Sequence, residues 1–381
     1  MKIAIIGWYG TETIGDRAIL AGLFSIFSKV YDNFEIKLGS LYPFFSERTI
    51  SEDSVFWREI IGRDINIELF NSKKSAELDK AISESNMVVL GGGPLMHIDE
   101  LFMVEYAFKK AKKHAKITAL LGCGMGPLFY KQHKKSVLEI AKYSDLIILR
   151  DTKSKDTLKD IFKDFRESLN TDSVLTSMDP SVECVLEYNK LNTKKQKEYI
   201  SVNLREFPAD YAKKQIDVSG ELITFVENVA DKYNDREVIL IPMHYFHSGN
   251  DDRAFLNSIA LKLQKNNIRV QNKNFSLKET IMAYQNAYLN IGMRFHAVVL
   301  QTLASGKNYI LDYTQPQKGK ICAFIQDIDD QGFYKDRYIN LQIDEISSTI
   351  IKNENSIFLA NNVLINEKMH VYLEKLRELN Q

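Results

Sequence analysis

Arginine and histidine stand together in the stretch IGMRFHAVV, where an apolar run to Ile291 breaks at Gly292 and helical spacing resumes near His296. Arg294 and His296 are poor core residues, so burying them between an apolar strand and an apolar helix requires anionic partners or a function. A guanidinium presents a planar fork to carboxylate or phosphate, and an imidazole carries or takes a proton near neutral pH. The alternative is a salt-bridged structural clamp. Arg150 follows the run DLIIL and Arg205 follows YISVNL, each at the end of an expected strand, and Lys318 and Lys320 follow a later one. Such a set suits a small substrate with more than one negative group.

Three glycine-dense loops follow expected strands: GWYGTETIGDRAIL from Gly7, GGGPLMHID from Gly91 and GCGMGP from Gly122. The first lacks the P-loop ending and the GxGxxG spacing, and has Asp16 placed to cap the next helix. Bare backbone at Gly10, Gly92, Gly93 and Gly124, with Thr11 and Asp16, can meet an anion or a sugar. Tight-turn geometry explains the same glycines. His97 lies in the second loop, and His244 and His247 lie three apart on a later one. No ligand spacing singles out a metal, so none is expected. His114 and His133 fall in lysine-rich segments and are expected in solvent.

These residues need elements to hold them. Short apolar runs at 2–6, 34–38, 87–90, 117–121 and 146–149 alternate with helical spacing, and the alternation restarts at 199–202, 238–241, 268–270, 287–291 and 309–311. Strand and helix in turn imply parallel sheets. The polar stretch EYNKLNTKKQKE, from Glu187 to Glu198, reads as the connection. The expected fold class is α/β: two Rossmann-like parallel-sheet domains, 1–190 and 195–381, facing a cleft, with a terminal helix able to cross back onto the first. Ligands of such sheets sit at the carboxyl ends of strands.

Length and composition agree. At about 150 residues per domain, 381 residues make two domains likelier than one. Fifty basic against fifty acidic residues leave no net charge to attract nucleic acid. Three scattered cysteines form no disulfide framework and fit a reducing compartment. The four-residue apolar run before Gly7 is too short for a signal core, and no stretch approaches the ~18 residues of a membrane span. Lys109 to Lys135 carries eight lysines and no acid, which reads as a solvated face or, less simply, a patch for anionic head groups or a diphosphate-linked acceptor.

In this order the motifs GWYGTETIGDRAIL, GGGPLM, GCGMGP, LRD at Leu149, MDPSV at Met178, VNLR at Val202, IPMH at Ile241 and GMRFHAVV at Gly292 resemble the polysaccharide pyruvyl transferase family over nearly the full chain. The resemblance implies a glycosyltransferase-B-like fold. It also implies transfer of the pyruvyl group of phosphoenolpyruvate to two hydroxyls of one sugar, as a ketal, with no cofactor. It carries an acid/base role onto His296, donor binding onto Arg294, then Arg150 and Arg205, and last onto Lys318. The N-terminal half would read the acceptor, free or carried on a lipid diphosphate, with Gly10, Thr11, Asp16, Gly92, Gly93, His97, Gly124 and His244 as loop candidates. Thr13, Arg17, Pro94 and Cys123 depart from the family's common pattern and bear on which sugar is taken. A cytoplasmic enzyme is implied, touching the inner face of the membrane at most peripherally. The chemistry fits the residues too: His296 serves as acid at the methylene or as base at a hydroxyl, and the arginines neutralise carboxylate and phosphate. The rivals are a nucleotide-sugar-dependent glycosyltransferase of the same fold and an inactive sugar-binding protein.

Overall fold

The computed structural model describes residues 1–192, 198–207, 218–246, 250–344, 346 and 354–379. In chain order the elements are β1 (Lys2–Ile6), α1 (Ile14–Ser28), β2 (Glu35–Ser40), α2 (Pro43–Ile61), β3 (Asn66–Asn71), α3 (Ser75–Glu84), β4 (Met87–Gly91), β5 (Pro94–Leu95), α4 (Glu100–Lys113), β6 (Ile117–Met125), α5 (Lys131–Lys142), β7 (Leu146–Leu149), α6 (Thr152–Asp164), β8 (Val174–Thr176) and α7 (Ser181–Leu191). There follow β9 (Tyr199–Asn203), α8 (Val218–Lys232), β10 (Glu237–Leu240), α9 (Asp252–Leu263), β11 (Ile268–Val270), α10 (Leu277–Asn286), β12 (Leu289–Gly292), α11 (Phe295–Ala304), β13 (Asn308–Asp312), α12 (Lys320–Ile328), β14 (Tyr338–Asn340) and α13 (Asn362–Glu378).

The chain divides into two compact units. One comprises 1–11, 16–188 and 362–381, the other 12–15 and 189–361. The first holds a parallel sheet in the order β3-β2-β1-β4-β6-β7-β8, with β5 paired to β6; the second holds a parallel sheet in the order β11-β10-β9-β12-β13-β14. Counted within each unit, both begin 3-2-1-4, the doubly wound arrangement in which the strand order reverses once. Helices cover the faces of such a sheet, so its central strands read as unbroken apolar runs rather than alternating ones. Val88, Val89 and Leu90 of β4 and Ile200 and Val202 of β9 are fully buried.

The helix α13 groups with the first unit. Ser177 donates from Oγ to the Lys368 carbonyl (2.7 Å), and Tyr372 donates from its hydroxyl to the Met178 carbonyl (2.6 Å).

Several expectations need correction. The polar stretch from Glu187 is not a linker at its start, because α7 continues to Leu191, while 193–197 fall outside the described residues. Glu183 and Glu187 bind Lys29, and Tyr188 packs on Phe56 at 6.1 Å, so these polar letters mark an inward helix face. His133 is buried, not solvated: it stacks on Phe102 (5.1 Å) beside Tyr130 (5.7 Å). The basic stretch does not stand alone either. Lys109, Lys110, Lys112 and Lys134 pair with Glu105, Asp79, Asp145 and Asp164, acids that lie elsewhere in sequence. Among the described residues no helix is long and apolar enough to cross a membrane.

Candidate active site

Strands β9 and β12 are hydrogen-bonded neighbours at which the strand order of the second unit reverses, and β10 and β13 flank them. Parallel neighbours lie about 4.8 Å apart, so residues just past their carboxyl ends converge. Arg205 lies two residues past β9, Arg294 two past β12, Tyr313 one past β13 and His244 four past β10. His296 stands in the first turn of α11.

Arg294 is held from two sides. Asn203, the last residue of β9, accepts its backbone N–H through Oδ1 at 3.0 Å. Asp252, at the start of α9, accepts Nε at 2.7 and 2.9 Å and Nη2 at 2.5 Å. The Asp252 carboxyl is 1% exposed and also accepts the backbone N–H groups of Met243 and His244 at 3.0 and 3.1 Å. Burial works against the guanidinium charge, and Asp252 more than offsets it. Arg294, Asp252, Asn250, Arg205, Phe255 and Ser258 line a cavity of about 510 Å³, within the ~300–1,000 Å³ usual for small-molecule sites.

His244 donates from Nδ1 to the Asn250 carbonyl at 3.2 Å, which leaves Nε2 as the acceptor. Burial, then the charge of Arg294, push its pKa down to about 4 against the opposing pull of Asp252. It is therefore neutral at pH 7. The sign for stability follows: between its ordinary value and about 4 the unfolded chain binds a proton that the folded chain refuses, so stability falls as pH falls. We expect a loss of about 3 kcal/mol across that window, read from denaturant midpoints and absent in His244→Gln. His247 lies outside the described residues.

His296 has an unexpected neighbour. The segment 12–15 belongs to the second unit, where Ile14 donates its N–H to Met243 (3.0 Å), Tyr245 donates its N–H to Glu12 (3.1 Å), and Thr13 pairs with His244 in an antiparallel bridge. Gly15 then lies against the imidazole: a Cβ there would stand 2.0 Å from Nδ1.

Each of the remaining candidates belongs to one unit or the other. Lys318 is exposed, with its backbone N–H donated to Gln315, whereas Lys320, 5.7 Å from the Phe295 ring, joins the site. Arg150 is in the first unit, buried, with Asp179 at 3.2 Å and Asp151 at 3.6 Å. It packs so closely on Gly124 that a Cβ there would meet Nη2 at 2.4 Å. Asp16 lies inside the first turn of α1 rather than capping it, and accepts from the Thr11 hydroxyl at 3.3 Å. Its charge there complements the helix dipole. Gly93 has φ 70°, and a Cβ on it would strike Trp8, whose Nε1 donates to the Pro94 carbonyl at 3.1 Å, so packing accounts for this glycine. Gly10 and Gly92 likewise abut Ser40 and Ile19. His97 donates from Nδ1 to Pro127 at 2.8 Å and packs on Phe129 at 4.6 Å. Cys123 is buried, and burial pushes its thiol up to about 12, so it is no nucleophile. Among the described residues no three His, Cys, Asp or Glu side chains gather as a metal site would need.

Reading the sequence misses Asp252 and Tyr313, and it misses the contacts of Asn203 and of the segment 12–15 although both lie in motifs it singles out. Asp252 has a local signal, paired acids opening a helix after the loop that carries His244; the others act through contacts across many residues.

The sequence pattern of polysaccharide pyruvyl transferases matches residues 14–307. The chain belongs to that family. Within the pyruvyl transferase match lie Arg150, Arg205, Arg294 and His296, while Lys318 and Lys320 fall beyond it. Among curated proteins nothing matches. Solved structures resemble this member of the family in fold. UDP-GlcNAc 2-epimerase from Methanocaldococcus jannaschii, in complex with UDP-GlcNAc and UDP, has a TM-score of 0.60 at 13% identity over 100% of this chain and 99% of that one. The UDP-GlcNAc 2-epimerase of Neisseria meningitidis bound to UDP-GlcNAc has a TM-score of 0.55 at 11% identity over 99% and 100%. Anabaena HepE in complex with UDP-glucose has a TM-score of 0.55 at 10% identity over 100% and 94%. At such identities the likeness is one of architecture, two parallel-sheet domains of the glycosyltransferase-B kind.

Proposed function

We propose that the protein transfers the pyruvyl group of phosphoenolpyruvate to two hydroxyls of one sugar, in a polysaccharide or its lipid-linked precursor, forming a ketal and releasing phosphate. The observation that carries this reading is the pair Arg205 and Arg294 at adjacent strand ends where the sheet order reverses, beside a cavity, with His296 opening the next helix. Two guanidinium groups suit a donor with a carboxylate and a phosphate. His296 gives a proton to the methylene as the first hydroxyl adds to the enol carbon. Departure of phosphate, its charge offset by the arginines, leaves an oxocarbenium-like carbon for the second hydroxyl. The reaction needs no cofactor. The second unit would hold the donor and the first the acceptor, in the cytoplasm or at the inner face of the membrane.

The competing reading is a nucleotide-sugar enzyme, since UDP-GlcNAc and UDP-glucose are bound by proteins of like fold. Calorimetry separates the two without knowledge of the acceptor. Phosphoenolpyruvate is expected to bind while uridine and guanosine diphosphates do not, and Arg294→Ala to weaken that binding about 10- to 100-fold, the worth of one charged hydrogen-bonded contact. Arg205→Ala serves as a second variant, because Arg294→Ala also strands the buried Asp252. Nucleotide binding with phosphoenolpyruvate silent would make the donor assignment wrong.

A further inference from the structure

Ketal formation moves two hydroxyl protons, and a single imidazole cycle accounts for one. His296 gives a proton to the methylene and regains one from the first hydroxyl. The second hydroxyl proton ends on the leaving phosphate, and a second group that protonates the phosphate and then deprotonates that hydroxyl would relay it. His244 is unsuited, since a base whose conjugate acid has a pKa near 4 takes a proton from an alcohol poorly.

Tyr313 meets Arg205, a guanidinium that lines the cavity, from the end of a nearby strand. It follows β13, beside β12 in the sheet, and is 5% exposed. The Arg205 guanidinium lies 5.3 Å from its ring centroid. Lys320, 5.7 Å from the Phe295 ring, and Arg294 from the turn before α11 are the other cations whose charge acts on the phenol. Gln342 holds its backbone, donating from Nε2 to the Tyr313 carbonyl at 3.0 Å. The adjacent carboxylate, Asp312, is engaged by the Thr314 backbone N–H and hydroxyl at 2.7 and 2.5 Å and by the Tyr338 hydroxyl. Buried tyrosines elsewhere in the chain behave differently: burial pushes the phenols of Tyr9, Tyr284, Tyr334 and Tyr372 upward. Burial also acts on Tyr313, but Lys320, Arg205 and Arg294, with a hydrogen bond from Arg205, outweigh it and hold the phenol below its ordinary value.

We infer that Tyr313 is a second proton-transferring catalytic residue, giving its phenolic proton to the departing phosphate and recovering one from the second acceptor hydroxyl. The inference rests on the pyruvyl-transfer reading. As the carbon–oxygen bond to phosphate breaks, that oxygen takes the Tyr313 proton and the phosphate leaves as hydrogen phosphate. The phenolate, steadied by the three cations, then takes the proton of the second hydroxyl as its oxygen bonds to the oxocarbenium carbon. Tyr313 and His296 both return to their starting states.

A consequence appears before any acceptor binds. Lys320, Arg205 and Arg294 shift the phenol of the empty site toward phenolate, and an incoming anion satisfies the same cations, so donor binding shifts it back toward the protonated form. Between neutral pH and the ordinary phenol value of about 10, phosphoenolpyruvate binding should take up as much as about one proton, the limit for a single phenolate. Calorimetry in buffers of different ionisation heat reads this, and a near-ultraviolet phenolate titration of the free protein reads the tyrosine itself. Tyr313→Phe should bind phosphoenolpyruvate within about tenfold of the wild type, take up no proton over that range, and lack the lowest-titrating phenol. Lys320→Gln should raise that phenol's titration while leaving the tyrosine in place. Equal uptake in wild type and Tyr313→Phe, or none in either, overturns the role of Tyr313 and spares the donor assignment. No phosphoenolpyruvate binding by the wild type overturns the donor assignment and this inference with it.

Discussion

His296→Ala is expected to lower turnover by roughly 10²–10⁴, the usual contribution of a positioned acid or base, while phosphoenolpyruvate still binds. The separation of the two effects follows from where the groups are anchored. Arg294 is fixed by Asn203 and Asp252. His296 is placed by α11, by Phe295 at 5.0 Å and by the backbone of Gly15. On the proposed mechanism, removing the ring takes away the proton carrier and leaves the anchors of Arg294 in place. The check is phosphate release from phosphoenolpyruvate with a panel of sugar acceptors, set beside donor binding by calorimetry. Turnover equal to wild type would remove His296 from the mechanism, and lost binding with lost turnover would make it a donor ligand instead. His296→Gln, which keeps polarity without proton transfer, should behave as the alanine variant does.

The positions of Arg205 and Arg294 at strand ends were legible in the sequence, whereas the pairing of Arg294 with Asp252 was not. Arg205 and Arg294 announce themselves because each breaks an apolar strand at its carboxyl end, a position where a charge has few structural excuses. The alternation of strands and helices is equally plain for buried parallel strands such as β4 and β7, whose letters are uniformly apolar. It fails for β3, NIELFN, which mixes polar and apolar residues. Lys318 and Lys320 look alike in sequence; only the start of α12 at Lys320 decides which cation turns toward Phe295. Asp252 has its paired acids as a local signal, but its partners, Arg294 after β12 and the backbone of Met243 and His244 after β10, are tertiary contacts that no local periodicity reports. His133 reads as solvated from its lysine neighbours because a helix alternates its faces, so flanking charges say little about the residue between them.

The segment 12–15 gives the sharpest test of that distinction. Glycine inside a helix is costly by about 1 kcal/mol relative to alanine, and Gly15 is the second residue of α1. Gly15→Ala should therefore leave the protein as stable as before or slightly more so, if backbone propensity were all that mattered. The new Cβ, however, would stand 2.0 Å from His296 Nδ1 and 2.5 Å from Cγ, closer than such atoms approach. Ile14 and Glu12 are tied to Met243 and Tyr245 through backbone hydrogen bonds, so the segment resists moving and the imidazole yields instead. A shift of about an ångström at a reacting group costs on the order of 10²-fold in rate. We expect kcat to fall by that amount, phosphoenolpyruvate affinity to be unchanged, and the denaturant midpoint to move little, the gain in helix propensity being set against the strain of displacing the ring. Gly15→Ser should fall at least as far. An unaltered kcat in Gly15→Ala would mean that the ring has room to move without consequence, and that the imidazole position seen against Gly15 is not the one in which it transfers the proton.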